Sequence, residues 1–208
     1  MTRARERLGW TLLALVFLVS AWHLARWPVG AVDGDVWFHL HSGRWLWEHG
    51  AIPRDSAFVS FLSPPRPFVD YSWLFEALIY PLQAAAGFGG LAFLRAALFL
   101  LTLGLISRAA MRAGAGVLRT VCLAAFYAAV LAPRFKPDRP HDFSLCLLAA
   151  TLVLLELEPP SARWLLPGLA VLWCNLHGIY WPLLVLCAGA YGVERVLRRR
   201  PPAWWQAA

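Results

Sequence analysis

The sequence predicts an all-α fold: a polytopic membrane helical bundle of about six membrane segments, with juxtamembrane helices in the first outer loop. Three observations carry this. Of 208 residues, 60% are hydrophobic and only 15% are charged, whereas soluble domains average roughly 45–50% apolar and about 25% charged. The apolar residues gather in runs at about 9–29, 91–107, 117–133, 142–157 and 164–197. The Arg residues stand at the ends of those runs, which is the signature of membrane topology. The net charge of +7 forms no basic stripe of the kind that binds DNA, so no nucleic-acid partner is implied. The implied partner is the lipid bilayer.

The N-terminus has the basic start and apolar core of a signal peptide, but no small-x-small cleavage site follows. It is expected to remain as the first span, 9–29. Arg3, Arg5 and Arg7 place the N-terminus in the cytoplasm. Arg108, Arg112 and Arg119 mark the next cytoplasmic turn, Arg163 another, and Arg195 with Arg198, Arg199 and Arg200 the last, leaving 198–208 as a cytoplasmic tail. Residues 30–90 must then lie outside. Segment 72–86, interrupted by Glu76 and Pro81, is short for a span and is expected to lie on the outer surface as an amphipathic helix.

Residues 91–197 hold the remaining spans. As one helix, 164–197 would reach about 51 Å at 1.5 Å per residue, against a hydrocarbon core of roughly 30 Å. Two short helices, about 164–174 and 179–197, are expected instead, meeting at Asn175-Leu176-His177-Gly178. Non-helical backbone at that depth is tolerated where it is buried in protein or lines a wet cavity. Asn175 and His177 are therefore candidate cavity residues. The four Cys lie inside apolar runs without C-x-x-C spacing, and are expected to be core- or lipid-facing thiols.

The outer segment is the most informative. Residues 33–50, DGDVWFHLHSGRWLWEHG, set two carboxylates two positions apart beside a stretch dense in Trp and His. Asp35 can cap a helix over 36–49 that stops at Gly50, and its Trp residues suit the membrane–water interface. Residues 53–69 form an extended, Pro-rich connector. Asp33 and Asp35 could share a hard divalent cation, Mg or Mn, or one could accept a proton while the other orients it. His39 and His41, at i and i+2 on a helix, are poorly placed to share zinc. A haem-handling protein would want such loops, but no C-x-x-C-H accompanies them.

A second constellation is the outer loop APRFKPDRPHD, 132–142. Arg134, Lys136 and Arg139 break the positive-inside rule on the side that holds the acidic pair. Retained cations there point to an anionic partner, either a phosphate-bearing head group or bulk anionic lipid. Asp138 and Asp142 sit among them, and Asp142 could equally be the N-cap of the following span.

The order of these segments resembles a known family. After a first span come D-G-D-V-W-F-H-L-H-S-G, I-P-R-D-S and Asp70-Tyr71-Ser72-Trp73-Leu74-Phe75-Glu76. Then follow R-P-H-D-F-S and L-W-C-N-L-H-G. Over about residues 8–197 this resembles the N-terminal half of bacterial membrane proteins related to the GT-C glycosyltransferases, which include oligosaccharyltransferases, protein mannosyltransferases and lipid A aminoarabinose transferases. The resemblance implies a single GT-C-like module in the bacterial inner membrane, with an extracytoplasmic active site. Its first acidic residue would lie just after the first span. Asp35-Val36-Trp37-Phe38-His39 matches the acidic, aromatic-pair, His pattern of the oligosaccharyltransferases, so Asp35 is favoured over Asp33 as the catalytic residue. Asp138 or Asp142 would supply a second acidic residue, and the donor would be a polyprenyl-phosphate sugar. Some relatives use a divalent cation and others do not. Relatives continue for several more spans, so the chain is expected to be truncated.

A sugar transferase using that donor and an acceptor hydroxyl is thus the leading expectation. A non-catalytic or truncated relative, and a lipid-handling or transport protein, are the alternatives. No internal repeat is visible, whereas a transporter site would be expected at midplane between repeats. The topology makes a direct prediction. Cys introduced at Ser56 and at Ser63 reacts with a membrane-impermeant thiol reagent in intact cells; labelling only after lysis would overturn the arrangement.

Overall fold

The computed structural model describes residues 3–31, 34–59 and 64–198. Over these the chain is helical, with no β-strand among the described residues. The helices are α1 Arg3–Ala25, α2 Asp35–His49, α3 Trp73–Arg112, α4 Val117–Leu131, α5 His141–Leu157, α6 Ala162–Leu176 and α7 Pro182–Arg198. Three segments are long and apolar enough to cross a membrane: Arg3–Ala25, Trp73–Arg112 and Val117–Phe135. α5, α6 and α7, at 17, 15 and 17 residues, reach only about 22–26 Å. α1 turns an apolar face outward, with Leu18 68% and Trp22 63% exposed.

α3 is two helices joined across a kink: the expected helix at 72–86 and the span at 91–107 meet where Gly87 leaves the helical conformation, at φ 61° and ψ −160°. Such a conformation is open to Gly and costly for other residues. Neither Glu76 nor Pro81 interrupts it. Pro81 has no N–H for the carbonyl of Ala77 four residues earlier, and Trp47 Nε1 donates to that carbonyl at 3.0 Å instead. A tryptophan of α2 thus repairs a proline defect in α3. At the same crossing, a Cβ on Gly43 would sit 2.4 Å from the Glu76 carbonyl oxygen, so glycine sets how closely α2 and α3 approach.

The described part of the Pro-rich connector is not simply extended. Ser56–Phe58 form a 3₁₀ turn, and the chain folds back so that Ser56 N bonds Arg66 O and Phe68 N bonds Arg54 O, both at 2.9 Å. Phe58 then packs against Phe38, Trp45 and Phe68 at centroid separations of 5.1 to 6.1 Å.

α3 is the common neighbour of α1, α2, α4, α5 and α6. It contributes to both apolar cores. One gathers Val36, Phe75, Ile79, Leu147 and Trp173, the other Leu13, Leu24, Phe99, Ala124 and Phe135. Between them lies Arg95, 1% exposed in the middle of the apolar run. Its Nη1 donates to Asp138 Oδ1 at 2.9 Å and Oδ2 at 3.0 Å. Its Nη2 donates to the carbonyls of Leu24, at 2.8 Å, and Trp27. Gly30 N also reaches Asp138 Oδ2 at 3.3 Å. One guanidinium therefore ties the exit of α1 to the loop before α5.

Removing one member of a buried ion pair strands the other, at a cost of about 3–5 kcal/mol. Arg95→Leu should lower the melting temperature in detergent sharply, and adding Asp138→Asn should restore much of the loss by removing the stranded charge. A melting temperature unchanged by Arg95→Leu would show that the pair holds nothing.

Candidate functional site

Asp35 opens α2 as its first residue. Gly34 occupies the cap position and no side chain caps the helix, so the expected capping role does not occur. Asp35 Oδ2 instead accepts from Arg139 Nη2 at 2.8 Å, with the side chains 54% and 41% exposed. An exposed pair of this kind contributes about 0–1 kcal/mol to stability. What it does is geometric: it joins the acidic segment after α1 to the basic loop before α5.

Beside that pair lies an open cavity of about 720 Å³, whose lining includes Asp35, His39, Arg134, Arg139, His141 and His177. These arrive from α2, the basic loop, the first turn of α5 and the α6–α7 turn. The α6–α7 turn is docked by specific bonds. Gly178 N donates to Tyr71 O at 2.8 Å, and Trp73 Nε1 donates to Asn175 Oδ1 at 2.9 Å. The Asn-Leu-His-Gly and Asp-Tyr-Ser-Trp segments, 100 residues apart in sequence, are thus in contact.

Two imidazoles of the cavity are held from behind. His177 Nδ1 lies 2.8 Å from Ser144 Oγ, and Trp173 Nε1 donates to the same oxygen at 2.8 Å. Indole can only donate, so the Ser144 oxygen accepts from Trp173 and shares its second hydrogen bond with His177 Nδ1. His39 Nδ1 lies 2.7 Å from Oε1 of Glu76, which is 1% exposed. His141 Nε2 donates to the Arg134 carbonyl.

Other predicted residues go elsewhere. Lys136 Nζ sits 3.7 Å over the Trp27 ring, a cation–π contact away from the cavity lining. Asp138 is engaged by Arg95. Asp142 is 4% exposed in the first turn of α5, whose cap is Pro140, so it is not the N-cap. Its Oδ1 lies 3.3 Å from His141 Nε2. Asn175 is held by Trp73 and by the Val171 carbonyl at 2.7 Å. Asp33 lies outside the described residues.

Among the described residues no group of three His, Cys, Asp or Glu side chains is placed to hold a metal ion. A hard divalent cation takes about six or more oxygen ligands. Here it would meet one carboxylate already paired with Arg139. No step below uses a cation.

Sequence reasoning missed Arg95, Glu76 and Ser144. The first two carried a usable signal, since an ionisable residue inside an apolar run is a functional or structural site by default. Ser144 carried none, because a lone serine in an apolar helix is unremarkable.

No family model, curated protein or solved structure matches the chain.

Ser144→Ala would leave the buried Trp173 N–H without an acceptor, and an unmade buried bond costs about 1–3 kcal/mol. The melting temperature in detergent should fall accordingly, while Ser161→Ala, on an exposed site with no side-chain bond, should not move it. Equal behaviour of the two would remove the relay behind His177.

Proposed function

We propose that the chain is a GT-C-like membrane glycosyltransferase module. It would transfer a sugar from a polyprenyl-phosphate donor to an acceptor hydroxyl on the extracytoplasmic face of the bacterial inner membrane, with the N-terminus cytoplasmic. The observation that carries this is the convergence of Asp35, Arg134 and Arg139 on one open cavity, which the end of the apolar segment Val117–Phe135 also lines through Leu131. A lipid-linked donor needs that combination: an apolar surface for the polyprenyl chain, cations for the phosphate, and a carboxylate at the reacting hydroxyl.

In this reading Arg134 and Arg139 hold the donor phosphate, and Arg139 exchanges part of its contact with Asp35 for the phosphate oxygens. Arginine suits this because its fork matches carboxylate and phosphate alike. The acceptor oxygen attacks the anomeric carbon and the bond from that carbon to the phosphate oxygen breaks. Polyprenyl phosphate leaves with the electron pair, its charge offset by the two guanidinium groups. Asp35 takes the hydroxyl proton. Lys136, seated on Trp27, supports the loop.

A second reading, binding of a lipid phosphate without transfer, is favoured by one feature: Asp35 is already paired with Arg139. One experiment separates the two. With a polyprenyl-phosphate sugar as donor, Asp35→Asn should lower transfer by about 10²–10⁴-fold, the usual contribution of a general base, while donor binding and expression persist. Arg134→Ala with Arg139→Ala should abolish donor binding, and Lys136→Ala should leave it nearly intact. Binding without transfer by the unaltered protein would establish the second reading, and full activity in Asp35→Asn would remove Asp35 as the base.

A further inference from the structure

Glu76 stands at the crossing of α2 and α3, where Gly43 brings the backbones together, and only one of its carboxyl oxygens is accounted for. Oε1 faces His39 Nδ1 at 2.7 Å. Oε2 is buried with no N–H or O–H donor, and Asp70 Oδ2 is buried in the same condition. Asp70 Oδ1 takes the Ser72 N–H at 2.9 Å. The two carboxyl groups are hydrogen-bonding neighbours. Two acceptor-only oxygens cannot bond each other, and a buried carboxyl group resists ionising beside a second carboxylate. A single proton between them satisfies both orphaned oxygens.

We propose that Asp70 and Glu76 share one buried proton, and that this acid pair is a positioning device fixing His39 in the cavity as its Nδ1–H tautomer. The proton sits on Glu76 Oε2 and is donated to Asp70 Oδ2. Glu76 Oε1 is then a carbonyl-type oxygen able only to accept, so His39 Nδ1 carries the hydrogen. The pair keeps one negative charge, and Asp70 also borders a second open cavity of about 900 Å³ beside Arg54. Phe75 holds the imidazole from one side, edge-on at 5.1 Å. His39 and His177 are thus each held through Nδ1, one by an acid pair and the other by a serine.

The decisive variant is Glu76→Gln, because glutamine reproduces a protonated glutamate. Its carbonyl accepts from His39 and its amide donates to Asp70. At pH 8 the infrared difference spectrum between wild type and Glu76→Gln should contain the C=O stretch of one protonated carboxyl, and Asp70→Asn should remove the same band. Nitrogen-15 spectra should show His39 neutral and protonated at Nδ1 in both wild type and Glu76→Gln, but not in Glu76→Leu. A missing band, a His39 imidazolium, or failure of Glu76→Gln to fold would each overturn the shared proton.

The consequence for turnover rests on the transferase reading, in which His39, one turn along α2 from Asp35 and lining the same cavity, helps to place the acceptor. There Glu76→Gln should retain transfer, whereas Glu76→Leu should lose about 10²-fold through misplacement of His39. If wild type transfers no sugar, that reading falls, and the spectra still decide the acid pair.

Discussion

A single buried guanidinium organises this molecule. Arg95 sits in the apolar middle of α3, where an uncompensated charge would be prohibitive. It is tolerated because Asp138 meets it through both carboxylate oxygens and because the carbonyls of Leu24 and Trp27 take its second amino group. Those partners come from the two places that must meet for the cavity to exist: the chain leaving α1, and the loop entering α5. Satisfying one charge therefore brings the start of α2 next to Arg139. The cavity is a by-product of that satisfaction as much as of apolar packing.

The same logic recurs at smaller scale. In a chain so apolar, a buried polar group does best to find its partner within the protein. Trp47 serves the carbonyl that Pro81 leaves open, Ser144 serves both Trp173 and His177, and Asn175 serves Trp73. Each bond crosses between elements that the apolar contacts alone would leave free to slide. Apolar packing in a lipid environment is weakly directional, so these few polar contacts set register. They also place the cavity's imidazoles, because the residues that fix register are the ones behind His39 and His177.

What the sequence disclosed follows from what periodicity and charge can encode. The apolar runs, the stop at Gly50 and the break at Asn175–Gly178 were legible, because each is a local property of composition or of a turn residue. The unbroken helix from Trp73 to the kink at Gly87 was not. Glu76 and Pro81 look like interruptions until α2 is present to receive one and repair the other, and that is a tertiary fact. The grouping of Asp35 with Arg139 could be anticipated from charge and topology. The separation of Lys136 and Asp138 from that group could not, since it depends on Trp27 and Arg95 lying within reach of the same loop.

Asp138 and Arg139 show how finely that loop divides its charges. They are adjacent, yet one is buried against Arg95 and the other meets Asp35 at the surface. A regular extended or helical backbone would not send neighbouring charged side chains to such different places over so short a distance. Asp138 adopts φ 56°, a left-handed conformation that aspartate tolerates better than most residues. That turn sends its carboxylate inward and hands the next side chain outward. Both residues form Asp–Arg pairs, but burial gives them opposite consequences. The dry pair holds the architecture and cannot exchange partners without exposing a charge to an apolar interior. The wet pair contributes little to stability, and so can be broken at small cost. A labile pair is thus set in a rigid frame, and a single left-handed aspartate supplies both from consecutive residues.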